Sequence, residues 1–355
     1  MPIPAQRDAE KTALQLATWL APRVGADGEV SLAPFRGPGA TGFSNETIIV
    51  DARWRCGGEE RAGSYVIRVA PTGYTLFPDA AFEVQHTVLT GLDRLGAVPV
   101  PKVLWFEEDA SVLGAAFFVM EEVQGVVPPD NPPYHVDGWL KTDATPEVRE
   151  RIWWGCIDTI AELHAVDAAA VGLTDLLDGL PAQLDYYERF LEQVEGLGEQ
   201  VPVARRALEW LRANMPAPEP SVLCWGDARI GNVMYDEQGN RLAVLDWEMV
   251  SLGSPAQDFA WALFLDRHHS EGMDVPRLEG FPSTEESIAR YEAKSGRRLE
   301  NLEYYEVFAG FRFSVIMGKL AHIFKDWELL PADHDMGQNN NASRLTEKVL
   351  AERGA

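Results

Sequence analysis

Residues 7–20 place Ala13, Leu16, Ala17 and Leu20 on one face at helical spacing, and Pro22 and Gly25 close the run. This predicts a helix that leans on whatever follows. From Ser44 the period shortens: ETIIVDARW, then GSYVIRVA beyond the Gly57-Gly58 turn, then AAFFVMEEV from Ala115 are short, β-branched or aromatic, and bounded by turn residues. Between the second and third of these strands, FEVQHTVLTGLDRLG returns to helical spacing through Phe82, Val88, Leu89, Leu92 and Leu95. Residues 30–123 therefore predict a sheet with one inserted helix.

Beyond the proline-rich stretch GVVPPDNPPYHVDGW, the pattern turns helical, and that stretch is the expected seam between two lobes. TPEVRERIWWGCIDTIAELHAVD opens with Thr145 as N-cap and Pro146 at the first helical position, and puts Val148, Ile152, Cys156, Ile160 and Leu163 on one face. Ser283 with Glu286 forms a capping box, and Gly296 ends that helix. Residues 302–324 are apolar on most sides, the mark of a buried helix. The expected organisation is an N-terminal helix over 1–29, a sheet lobe over 30–123 and a helical lobe over 124–355.

Composition narrows the class. The chain has 355 residues, 46% hydrophobic and 24% charged, enough for two packed cores. Its three cysteines show no CxxC pairing and never join the histidines at zinc-finger spacing, so a reducing cytoplasm is expected rather than a disulfide framework or structural metal. No signal peptide or membrane span is expected, LGAAFFVM from Leu113 being too short to cross a bilayer. A net charge of -24 repels phosphate backbones and anionic lipid, which argues against nucleic-acid and membrane partners.

One stretch is out of keeping with its surroundings. CWGDARIGNVMYDEQGNRLAVLDWE sets Asp227, Asn232, Asp246 and Glu248 among runs that read as buried strands. VLCW and NVMYD predict strands, Gly239-Asn240 a turn, and LAVLD the returning strand with Asp246 at its end. A hairpin closing over the loop brings Asp227, Asn232 and Asp246 to one place. Asn232 and Asp246 suit Mg²⁺, which takes one or two protein oxygens and completes its octahedron with phosphate and water, and Asp227 is then free to act as a base. Buried carboxylates are costly unless paired or metal-bound, so an ion with its phosphates accounts for the arrangement.

Asp227-x4-Asn232 followed by Asp246 in an LDWE context resembles the signature of the protein kinase-like fold in its aminoglycoside phosphotransferase-like branch, closest to the kinase portions fused to some acyl-CoA dehydrogenases. The likeness runs through YVIRVAP, FFVMEEVQG, ELHAVD and GFPSTEESIARYEAKSG. It implies an α+β, two-lobed fold: a small antiparallel-sheet lobe with one helix and a larger, mostly helical lobe. It also implies an ATP- and Mg²⁺-dependent kinase passing the γ-phosphoryl group to the hydroxyl of a small molecule, an aminoglycoside or a hydroxyacyl-CoA. In that resemblance Asp227 is the catalytic carboxylate, Arg229 a cation for the transferring phosphoryl group, and Asn232 and Asp246 the metal ligands. Asp258 in AQDFAW braces the catalytic loop. Gly42, Ser44 and Asn45 fall in the phosphate-covering loop, Arg68 replaces the strand lysine, and Met120, Glu121 and Val123 form the adenine connector.

Three departures stand out: Trp225 takes the place of a histidine, Arg68 that of a lysine, and Gln85 or Glu83 that of the helical glutamate expected to pair with it. These leave room for an alternative, a nucleotide-binding pseudokinase acting as a scaffold. Singly, each site residue has a plainer reading: Asp227 as a cap, Asn232 as a turn former, Arg229 as a surface cation. His164 reads as a packed histidine, His268-His269 as a surface pair, and Trp153, Trp154 and Trp210 as core and groove lining.

Overall fold

The computed structural model describes residues 8–37, 46–73, 75–79 and 82–355. Gly42, Ser44 and Asn45 lie outside these residues. The chain forms two compact units, one of residues 1–90 and 101–124, the other of residues 91–100 and 125–355.

The first unit is built on a five-stranded antiparallel sheet of order β1-β2-β3-β5-β4. Helix α1 (Ala9–Arg23) precedes β1 (Ser31–Leu32), β2 (Glu46–Cys56) and β3 (Glu59–Val69). Then come α2 (Phe82–Leu95), β4 (Val103–Glu107), the short α3 (Ala110–Leu113) and β5 (Phe117–Glu121). Alternation sorts the sheet's side chains: Ile48, Val50, Ile67, Val69, Phe117 and Val119 form one core with Leu16, Trp19 and Leu20 of α1. On α2, Phe82 stacks its ring against Phe106 and leans on Phe118. β5 is thus buried on both faces, which is why FFVM reads as a continuous apolar run. Helix α1 runs past Pro22, and Trp19 ties it to β4 by donating its indole N–H to Glu107 (2.7 Å).

The second unit is mostly helical. It contains α4 (Trp139–Thr142), α5 (Pro146–Leu163), α6 (Ala168–Val171), α7 (Gly179–Gly196) and α8 (Pro202–Ala213). Four short strands follow: β6 (Val222–Cys224), β7 (Val233–Tyr235), β8 (Arg241–Val244) and β9 (Ser251–Gly253). Then come α9 (Pro255–His269), α10 (Thr284–Ser295), α11 (Leu302–Asp326) and α12 (Asn341–Glu352). The caps act where the residues announce them: Thr145 accepts from the Val148 amide, Ser283 and Glu286 close their capping box, and Gly296 takes the left-handed conformation. Helix α11 is long and apolar enough to cross a membrane by length and composition, yet 67% of its most apolar window is buried and it packs on α7, α8, α9 and α12. It is the core helix of this unit.

Helix α9 is buried along most of its length, and of the histidines at its end His269 is buried and His268 half-buried, so they do not form the expected surface pair. His269 is buried between the Tyr134 ring and Asp130. Burial pushes the His268 imidazole down to about 4, with the Asp130 charge opposing, and pushes His269 well below its ordinary value.

Candidate active site

β6 pairs with β9 and β7 with β8, and the segment joining β6 to β7 carries the polar residues. The chain leaves β6 at Trp225 and turns at Gly226, whose φ is +90°. A Cβ at Gly226 would lie 1.9 Å from the Met249 carbonyl oxygen, so both the angle and the space require glycine. Beneath the turn, Asp258 of α9 is fully buried and accepts from the Trp225 amide (2.6 Å) and the Gly226 amide (2.8 Å). His164 lies 3.2 Å from the same carboxylate through Nε2 and 2.8 Å from the Tyr291 hydroxyl through Nδ1. Asp258 and His164 are therefore scaffold: the carboxylate satisfies two backbone amides that a tight turn would otherwise leave unpaired. Cys224 approaches this pair closely enough for a metal trio, but its thiol faces the Ser254 carbonyl, burial pushes its pKa well up, and the partner atoms are all in hydrogen bonds. That donor set does not fit an ion.

Asp227 stands at the top of the turn. Its Oδ1 accepts from the Trp261 indole (2.7 Å), its Oδ2 from the Asn232 amide (2.6 Å), and both oxygens lie 3.1–3.2 Å from Arg229 Nε. A carboxylate has about four lone-pair positions, so three donors fix its orientation and leave one for a further hydroxyl. Asn232 spends its amide N–H groups on the Asp227 side chain and carbonyl, so its Oδ1 is the atom it could offer to an ion. That is the arrangement a hard cation would need.

The β7–β8 hairpin brings the third residue in. The Leu245 amide donates to the Asn232 carbonyl (2.8 Å), so Asp246 follows directly after a residue bonded to Asn232. Asp246 does not end the strand as expected. β8 stops at Val244, and Asp246 adopts φ +57°. The cause is Trp225, whose indole N–H donates to the carbonyls of both Leu245 (3.0 Å) and Asp246 (2.9 Å), drawing the backbone out of the ladder. The departure at Trp225 thus supports the Asp246 backbone from below.

Arg229 is no surface cation: its guanidinium lies between Asp227 and Asp130, with Nη1 2.6 Å from both Asp130 oxygens. Burial works against its charge, and the two carboxylates more than reverse this, raising its pKa. In the first unit, Arg68 donates to Thr47 on the neighbouring strand (3.1 Å) and to Gln85 (3.4 Å), so Gln85, not Glu83, is its helical partner. At the end of β5, the Glu121 amide bonds to Lys102 and the Glu122 amide to Ser64.

Three residues here escaped the sequence reasoning. Asp130 lay in a proline-rich run taken as a seam, with nothing local to pair it with Arg229. Trp261 was within reach, since it follows Asp258 by three residues and shares its helix face. Arg312, buried in α11, donates to the Gly226 carbonyl (3.0 Å) and stacks over the Trp261 ring.

Comparison with known proteins bears on the family and the fold. Residues 40–291 match the phosphotransferase enzyme family (APH). The chain is 30% identical over 334 residues to the probable acyl-CoA dehydrogenase IBR3 of Arabidopsis thaliana, covering 88% of this chain and 39% of that protein. It is 30% identical over 266 residues to acyl-CoA dehydrogenase family member 10 of Mus musculus, covering 71% and 24%. The chain thus spans well under half the length of these relatives. Among solved structures, a putative aminoglycoside phosphotransferase from Ralstonia eutropha superposes with a TM-score of 0.70 at 24% identity, covering 95% of this chain and 98% of that one. Aminoglycoside phosphotransferase APH(4)-Ia, in a ternary complex with AMP-PNP and hygromycin B, superposes with a TM-score of 0.54 at 15% identity, covering 96% and 99%. With an α+β, kinase-like fold and a family match over most of its length, the chain belongs to the phosphotransferase enzyme family.

Proposed function

We propose that the protein is an ATP- and Mg²⁺-dependent kinase of a small molecule, with Asp227 as its catalytic carboxylate. The observation that carries this is the three-donor hold on Asp227, which leaves one lone-pair position for an incoming hydroxyl. The substrate oxygen forms a bond to the γ-phosphorus as its proton passes to Asp227, and the bond to the β-phosphate oxygen breaks to release ADP. Mg²⁺, when bound, would be held by Asn232 and Asp246 and would neutralise charge on the phosphates. Trp261 and Asn232 keep the Asp227 carboxylate aimed throughout. To the nucleotide we assign Arg68, Met120, Glu121 and Val123, with Gly42, Ser44 and Asn45 of the preceding segment. Arg229, expected as a cation for the transferring group, is already paired with Asp227 and Asp130.

For the acceptor we favour a hydroxyacyl-CoA ester over an aminoglycoside, because the full-length relatives are named as acyl-CoA dehydrogenases. The three free cysteines suit a reducing cytoplasm. A screen of hydroxylated acyl-CoA esters and aminoglycosides for stimulated ADP release tests the reading. Asp227→Asn should lower turnover by about a thousandfold or more while MgATP binding survives. The neutral partner of Arg68 favours a second reading, a pseudokinase scaffold; its signature would be MgATP binding with no stimulation by any acceptor.

A further inference from the structure

Resting on the kinase reading, we infer that Arg229 is a positioning residue rather than a phosphate ligand: with Asp130 it clamps the proline-rich segment 128–133 onto the catalytic loop, beside the open position of Asp227.

The segment is tied at its ends by other means. Val126 and Tyr235 exchange backbone hydrogen bonds (2.9 and 2.8 Å), Trp139 donates to the Val127 carbonyl (3.0 Å), and Tyr134 donates to Asp266 (3.0 Å). Between these anchors lie Pro128, Pro129, Pro132 and Pro133, which have no amide to donate, so side chains must fix the tip. Asp130 does so. Both its oxygens lie 2.6 Å from Arg229 Nη1, while Arg229 Nε faces both oxygens of Asp227. One guanidinium therefore separates the tip from the catalytic carboxylate.

Two further observations show that the site is built around this pair. A Cβ on Gly231 would lie 2.4 Å from Arg229 Nη1 and 3.0 Å from Asp130 Oδ1, so the glycine leaves room for the ion pair. His269 lies 3.6 Å from Asp130 and is kept neutral by burial, so it does not compete with Arg229 for that carboxylate. With side chains only 19% and 32% exposed, Arg229 and Asp130 would each be left as a poorly solvated charge if the other were lost. An arginine held this way has a planar fork that lysine lacks. The segment it fixes becomes a wall beside the point where the acceptor hydroxyl arrives.

The test uses the 355-residue chain with Arg229→Gln, Arg229→Lys, Asp130→Asn and the Arg229→Gln/Asp130→Asn double variant. Hydrogen exchange over 124–140 and 224–236 needs no ligand. Each single variant should raise exchange in both segments, and the double no more than either single. With MgATP and no acceptor, ADP release should fall by a similar factor, about tenfold, in all four variants, with KM for ATP within about twofold of the parent. Arg229→Lys keeps the charge but not the fork, and should behave as Arg229→Gln does. Near-parental turnover in Arg229→Lys, or turnover retained in Asp130→Asn while Arg229→Gln loses a hundredfold or more, would overturn the clamp and make Arg229 the phosphate cation. Unchanged exchange at 124–140 in Arg229→Gln would overturn it as well. If no acceptor stimulates ADP release by the parent protein, the kinase reading fails while the exchange measurement still decides the clamp.

Discussion

At the scale of single residues, the site is a set of buried hydrogen bonds that leave little slack. Asp258 holds two backbone amides with two oxygens, and Asp258→Asn would set an NH₂ group against one of those buried N–H donors. A cost of about 2–4 kcal/mol is expected, read as a lower urea midpoint with unchanged slope. Trp261→Phe keeps an aromatic ring edge-on to Phe313 and beneath Arg312 but removes the indole N–H from Asp227. Its effect should fall on kcat, by roughly tenfold, with KM for ATP unmoved; an equal rise in that KM would mean the indole matters to nucleotide binding instead. Asp227, Asn232 and Asp246 stood out in the sequence because polar residues interrupt packing runs. Their donors did not, because a tryptophan in an apolar helix has the same appearance whether its N–H faces a backbone carbonyl or the Asp227 carboxylate.

At the scale of elements, the signals that act within one helical turn were legible. Thr145-Pro146 and Ser283-x-x-Glu286 mark helix starts because a side chain satisfies an amide three residues away, and Gly296 marks an end because it takes the left-handed conformation, all matters of local geometry. The turn after β6 is different: Gly226 is required by the Met249 carbonyl, which approaches from a later strand connection. Gly226→Ala should therefore displace the Met249 backbone, lowering the thermal midpoint and turnover together, whereas Gly296→Ala should cost only about 1 kcal/mol and leave kcat alone. A Gly226→Ala protein with parental turnover would show that the turn relaxes freely. The end of β8 follows the same logic. LAVLD reads as strand to its last residue, and the Trp225 indole, from the loop after β6, is what turns Asp246 aside.

At the scale of the whole molecule, buried ionisable groups couple stability to pH. His268 and His269 have folded pKa values below the unfolded value of about 6.5, so between pH 6.5 and 4 the unfolded chain binds protons that the native chain does not. Stability should fall as pH drops through that window, by up to about 1.4 kcal/mol per unit for each histidine. Urea midpoints from pH 7.5 to 4.5 check this, and the His268→Gln/His269→Gln variant should show a flatter slope over that range. The -24 net charge gave no hint of such a pair, because it counts charges without their depth. By itself the sequence determined the alternation that makes the sheet, the caps that bound the helices, and the identity of the polar residues placed among packing runs. These follow from contacts reaching no further than the next turn or strand position. Only the tertiary structure decided that Arg229 faces Asp130, 99 residues away, and that Trp261 holds Asp227, 34 residues on. Such pairings depend on which helix comes to lie beneath which loop, and no local spacing encodes that.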